Sequence, residues 1–171
     1  MEIKQATQEN VPAMLGLFDE ARSTIAALGI DQWQNGYPSR QVVEQDIALS
    51  QSYVVVDDGQ LCGTFVLIEN GEPTYDIIYD GHWPTGDDNH DYVAIHRVAV
   101  SVRMRGKGIS TAIIDYAAAR ARALGRASLR IDTHQGNVVM RRMLEKHGFV
   151  HCGVIHLMSG ELRVAYEKIL P

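Results

Sequence analysis

The stretch Tyr92–Leu124, YVAIHRVAVSVRMRGKGISTAIIDYAAARARAL, constrains this chain more than any other. Up to Val100 it has the alternating, β-branched pattern of a strand. Arg103-Met104-Arg105-Gly106-Lys107-Gly108 follows as a basic, glycine-punctuated turn, and a helix-period run begins at Ile109. A strand that enters a helix through such a turn makes an anion site. Glycines let the backbone approach a ligand closely, amide N–H groups point outward, and the helix N-terminus adds partial positive charge. The expected occupant carries phosphate.

The rest of the chain builds around that unit. Residues 2 to 6 read as a short strand. Thr7 reads as an N-cap, and Val11, Met14, Leu15, Phe18, Ala21, Ile25 and Leu28 keep helical spacing up to Gly29. A second helix is expected from Ser39 to about Leu49, and Tyr53–Asp57 and Leu61–Ile68 form a hairpin across Asp58-Gly59. Residues 69–91, with Pro73, Pro84, several glycines and an acidic cluster, read as a loop excursion holding a brief strand at 75–78. Ser128–Thr133 reads as a strand. Asn137 reads as the N-cap of a helix with Met140, Met143 and Leu144 facing inward. Phe149–Leu157 and Glu161–Ile169 form a last hairpin. This order predicts an α/β (α+β) sandwich, with a mixed, mostly antiparallel central sheet, helices on both faces, and a central parallel pair joined by the 109–124 helix. With 171 residues, 46% hydrophobic and 22% charged, the chain fits one domain, 1–171, able to bury a substantial core.

A net charge of -5 argues against a nucleic-acid partner, and no apolar run is long enough to span a bilayer, so no membrane partner is expected. Cys62 and Cys152 lie far apart without a partner motif, which suggests a reducing compartment, and the chain reads as cytoplasmic. His82 and His90 stand near aspartates, yet no ligand spacing matches a metal site and no metal is expected. Two phosphate ligands lose ground as well. A dinucleotide fingerprint lies early in its fold and carries a third glycine, and a triphosphate loop reads GxxxxGK[ST]; neither pattern is present.

Two blocks, in order and separated by the right elements, carry a resemblance. Arg103-Met104-Arg105-Gly106-Lys107-Gly108 resembles the [RQ]-x-x-G-x-[GA] acyl-CoA signature of the GNAT superfamily of N-acetyltransferases, and Asn137 to Phe149 resembles its second block, Asn-x-x-(small)-x-x-Leu-Tyr-x-x-x-Gly-Phe. The runs IHRVAV and IDTHQGN further resemble a bacterial subgroup of these acetyltransferases.

The resemblance implies a GNAT fold whose central parallel pair splays apart at a bulge in the focal strand. It implies acetyl-CoA as co-substrate, with strand groups of Val98, Ala99 and Val100 on the pantetheine and turn amides from about Arg105 through Gly106, Lys107, Gly108, Ile109 and Ser110 on the pyrophosphate. Arg103, Arg105 and Lys107 either add charge-assisted contacts or form a solvated turn. Asn137 is both an N-cap and, as in the family, a candidate cofactor contact. The implied reaction is direct acetyl transfer to an amine in a ternary complex. His96 matches a position where the family often places a carboxylate base, and imidazole can accept a proton there. The family's general-acid tyrosine falls on Leu144. Candidate substitutes are His134, Tyr166 and Tyr116, the last better suited to the core. The acceptor, a small-molecule or protein amine, is expected against Trp33, Gln34, Tyr37 and Trp83, with Tyr75, Pro38 and Arg40 nearby. The resemblance also allows a homodimer. Leu144 keeps a second reading open: a CoA-binding, ligand-sensing module with little turnover.

Overall fold

The computed structural model describes residues 1–171. Seven strands and four helices run in the order β1 (Glu2–Gln5), α1 (Val11–Ala26), α2 (Arg40–Ala48), β2 (Ser52–Asp57), β3 (Gln60–Ile68), β4 (Tyr92–Val100), α3 (Ile109–Ala123), β5 (Ser128–Thr133), α4 (Val138–Lys146), β6 (Val150–His156) and β7 (Leu162–Ile169). The sheet order is β1-β2-β3-β4-β5-β7-β6. The pairings β1–β2, β2–β3, β5–β7 and β6–β7 are antiparallel, and β4–β5 is parallel. The expected mixed, mostly antiparallel sheet is present.

Two compact units share this chain: Met1–Leu67 with Arg97–Tyr116, and Ile68–His96 with Ala117–Pro171. In the first, α1 and α2 bury Val11, Met14, Leu17, Phe18 and Val43 against Val54 of β2 and Ala99 of β4. The neighbouring residue Tyr53 points to the opposite face, where it meets Phe65 and Tyr116 of α3 with ring centroids 5.3 Å away in each case. Helices therefore cover both faces here, and Tyr116, half-buried, packs on this face. Ser39 caps α2 by accepting from the Val42 amide, and Asp58 and Gly59, at φ 47° and 76°, make the primed turn of the β2–β3 hairpin.

In the second unit the 69–91 excursion covers one face of the sheet. Tyr75 and Trp83 pack with Tyr92, Ala94, Cys152, Ile155 and Ala165. Tyr166 points to the other face, toward α4, where its hydroxyl accepts from Arg141 Nε at 2.9 Å. The strand expected at 75–78 does not form. Pro73–Tyr75 is a 3₁₀ turn, and sheet-like pairing is confined to an isolated bridge between Tyr79 and Val154. Pro73 removes a donor at the start of the segment, which favours the turn. Gly81 makes the close approach possible: a Cβ there would lie 1.8 Å from the Cys152 carbonyl oxygen. Beneath the excursion, buried Arg130 lies 4.2 Å from the Trp83 ring centroid and 4.1 Å from that of Tyr92. Its Nε donates to Glu167 at 2.9 Å, and its Nη2 donates to the Gly86 carbonyl and the Thr85 hydroxyl.

Candidate active site

Strand β4 changes character at its middle. Its parallel register with β5 covers only Tyr92–Ala94, although the strand continues to Val100. Arg97 sits at φ 51°, a left-handed conformation that costs a non-glycine residue roughly 1–2 kcal/mol. Its side chain is held firmly enough to offset that cost. Nε and Nη2 each donate to a carboxylate oxygen of Asp46 at 2.7 Å, and Nη1 donates to the Tyr37 hydroxyl at 2.7 Å. Such a fork-on-carboxylate pair is among the strongest charge-assisted contacts. The α1–α2 loop is tied to Arg97 through Tyr37.

The turn after β4 is shaped by two glycines. Gly106 and Gly108 adopt φ 76° and 80°, with open space where a Cβ would stand, so conformation rather than crowding requires glycine. The Arg105 and Lys107 amides bond back to the carbonyls of Val102 and Met104. The amides of Ile109 and Ser110, in the first turn of α3, have no intrahelical acceptor by the geometry of any α-helix. The donors for an anion thus centre on the start of α3. Arg105 Nη2 donates to Thr24 Oγ1 at 2.9 Å and Lys107 Nζ lies 3.6 Å from Met104 Sδ, while Arg103 is exposed. Asn137 caps α4, its side-chain oxygen accepting from the Met140 amide at 3.2 Å.

At the other end of the β4 kink, His96 lies among polar groups of its own unit. Its Nε2 is buried 3.0 Å from Glu72 Oε2, with the N–H not aimed along the contact. Nδ1 lies 3.9 Å from Asp132 Oδ2, which accepts from the Tyr75 hydroxyl at 2.7 Å. Glu72 Oε1 accepts from both the amide and the hydroxyl of Thr74. Burial works against the Glu72 carboxylate, but the imidazole of His96 beside it and the two Thr74 donors outweigh it and hold its pKa at about 2. Burial, and then the charge of Asp132, push the Tyr75 hydroxyl well above its ordinary value. Glu72, Asp132 and His96 are not disposed as a metal-ligand cluster.

The family model of the acetyltransferase (GNAT) family matches residues 18–149. A GNAT-family acetyltransferase structure from Streptococcus agalactiae 2603 is 36% identical, covering 99% of this chain and 95% of its own, with a TM-score of 0.84. The chain belongs to the GNAT acetyltransferase family. A GNAT-family acetyltransferase from Listeria monocytogenes 4b F2365 (20% identical, covering 99% of this chain and 94% of its own, TM-score 0.71) shares the fold. So does a ribosomal-protein-alanine N-acetyltransferase from Brucella melitensis (20% identical, 99% and 100%, TM-score 0.64). A search of curated proteins found no match.

Against the GNAT pattern, the remaining candidate residues fall into distinct places. Leu144, at the family's tyrosine position, is 0% exposed and belongs to the core. His134 Nδ1 accepts from the Gly136 amide at 2.9 Å, shaping the β5–α4 turn. The Tyr166 hydroxyl, already bonded by Arg141, lies 3.4 Å from Glu145 Oε1. Trp83 is corrected outright. It is 1% exposed, its indole N–H donates to the Tyr75 carbonyl, and it forms no wall for an acceptor. The Arg130 guanidinium drew this loop aromatic inward. Trp33 packs edge-on to Phe18 and beside Tyr37, and Gln34 Nε2 donates to the Arg22 and Gln32 carbonyls, so these three residues form one braced loop. Sequence reasoning passed over Glu72, Asp132 and Asp46. Asp132 carried a signal, since Arg130 and Asp132 alternate with apolar Leu129 and Ile131 on a strand that is buried along nearly its whole length. Glu72 carried none.

Proposed function

We propose that this chain, residues 1–171 taken as one acetyltransferase domain, moves an acetyl group from acetyl-CoA to a primary amine of a small molecule or protein. The observation that carries the reading is the interruption of β4: pairing with β5 stops at Ala94, a left-handed Arg97 follows, and the strand runs into the Gly106–Gly108 turn. The edge of β4 that β5 leaves past Ala94 fits a pantetheine arm laid alongside Val98, Ala99 and Val100, and the α3 amides fit its pyrophosphate. Arg103 and Lys107 supply charge near the turn, Arg105 does so by releasing Thr24, and Asn137 adds a polar contact.

When bound, acetyl-CoA supplies an activated acyl carbon; the chain's part is to orient it, to provide a donor for the developing oxyanion from the β4 backbone near Val98, and to take a proton from the amine. His96 takes that proton, with Glu72 and Asp132 stabilising the charge it acquires. His134 remains a candidate for returning a proton to the thiolate. Trp33, Gln34 and Tyr37 form the acceptor wall. Burial of Leu144 in the core favours one further reading, a CoA-binding sensor with little turnover.

Calorimetry with CoA and thiol release with a panel of amines test both. Absence of CoA binding would sink the two readings together, and binding without turnover on any amine would favour the sensor. His96→Ala should lower turnover by about 100-fold while leaving CoA affinity within about twofold. An unchanged rate removes His96 from the mechanism.

A further inference from the structure

An imidazole that serves as a base must present one nitrogen as a lone pair while the other carries the hydrogen, and whichever contact the hydrogen makes decides the working atom. In this structure the two nitrogens of His96 face different carboxylates at different distances. Nε2 is the buried one, 3.0 Å from Glu72 Oε2 although off the line of a direct hydrogen bond, so the carboxylate acts on it through its negative charge. Nδ1 is 3.9 Å from Asp132 Oδ2, outside hydrogen-bond reach.

Both carboxylates are fixed by other bonds. Glu72 is braced at three points: Oε1 accepts from the Thr74 amide at 3.2 Å and hydroxyl at 3.0 Å, and its own amide donates to the Tyr92 hydroxyl at 2.8 Å. Asp132 Oδ2 is committed to the Tyr75 hydroxyl at 2.7 Å, and the Tyr75 ring lies 5.6 Å from the imidazole centroid. An immobile anion at 3.0 Å draws the single N–H of a neutral imidazole to Nε2. A lone pair placed there would meet the carboxylate with repulsion instead.

We propose that Glu72 is a positioning residue that holds His96 as the Nε2–H tautomer, and that Nδ1 is the atom that takes the proton from the acceptor amine. Asp132, kept in place by Tyr75, then stabilises the new N–H. The inference rests on the reading of His96 as base. The proton balance closes without another reactant. The amine nitrogen loses one proton as the C–N bond forms, the departing sulfur gains one as the C–S bond breaks, and His96 returns to its neutral tautomer. An arrangement of this kind lessens the demand for a tyrosine at position 144.

Nitrogen-15 correlation spectra of the histidine rings in the full-length protein, recorded at a pH where the imidazole is neutral, test it directly. The His96→Ala spectrum identifies the His96 signals. The expected result is a protonated Nε2 and an unprotonated Nδ1, and a dominant Nδ1–H form would overturn the proposal without any further variant. Glu72→Gln should move the spectrum toward a mixture of tautomers and lower thiol release from acetyl-CoA by roughly 10-fold, with the KM for acetyl-CoA unchanged. A tautomer unaltered in Glu72→Gln would equally refute the positioning role. Full turnover by His96→Ala would instead sink the base reading beneath the proposal, and the spectra distinguish that failure from this one.

Discussion

Glu72 offers a stability measurement whose size follows from the geometry. Its side chain is 14% exposed, lies 3.0 Å from His96 and accepts two bonds from Thr74. The fold lowers its pKa from an ordinary 4.5 to about 2. At ~1.4 kcal/mol per pH unit the gap is worth ~3 kcal/mol, and about 2 kcal/mol once residual solvent screening is allowed for. The folded value is depressed, so the stabilisation is fully present above pH 4.5 and is lost as the pH falls through about 2. Glu72→Gln keeps the shape and removes the charge. Urea unfolding followed by tryptophan fluorescence at pH 7, 5, 4 and 3 should therefore show the variant about 2 kcal/mol less stable at pH 7, a midpoint shift on the order of 1 M. The difference should shrink steadily below pH 4.5. Other carboxylates titrate in both proteins and cancel. A gap that stays constant across this range, or no gap at pH 7, would refute the assignment of that stability to the Glu72 carboxylate.

Four further outcomes follow from packing and buried charge. Leu144→Tyr should lower stability by ~1–3 kcal/mol, measured by thermal unfolding, because a larger polar ring must enter a fully buried site; a gain in rate without that loss would contradict its core placement. Gly81→Ala should cost at least ~3 kcal/mol, since its Cβ would meet the Cys152 carbonyl at 1.8 Å, whereas Gly16→Ala in α1, with open space at that point, should gain ~0.5–1 kcal/mol. Glu167→Gln should cost ~3 kcal/mol in urea unfolding by stripping the fully buried Arg130 of its counter-charge, and an effect below about 1 kcal/mol would show that the excursion's carbonyl and hydroxyl acceptors suffice.

How much of this was legible in advance depends on the range of the forces involved. The α3 start at Ile109, the Asp58-Gly59 turn, the Ser39 and Asn137 caps and all of β5 were readable because each is decided within a few residues, by φ preference, capping or alternation. The glycine turn and the second block also carried the family. Residues 69–91 resisted reading, because turn formers there mask a segment whose conformation is settled by what lies beneath it. Trp83 shows the consequence. A loop tryptophan reads as exposed until the buried Arg130 face is known.

By itself, then, the sequence determined the order of elements, the sheet's mixed character and a glycine-built turn at the head of α3, since these depend on local geometry and hydrophobic period. Tertiary structure decided which polar side chains meet. The left-handed Arg97 is held by Asp46, 51 residues away in sequence, and the carboxylates that flank His96 come from Glu72 of the excursion and Asp132 of β5. Electrostatic pairs of this kind form only when folding removes water from both partners. No periodicity or local preference marks them beforehand.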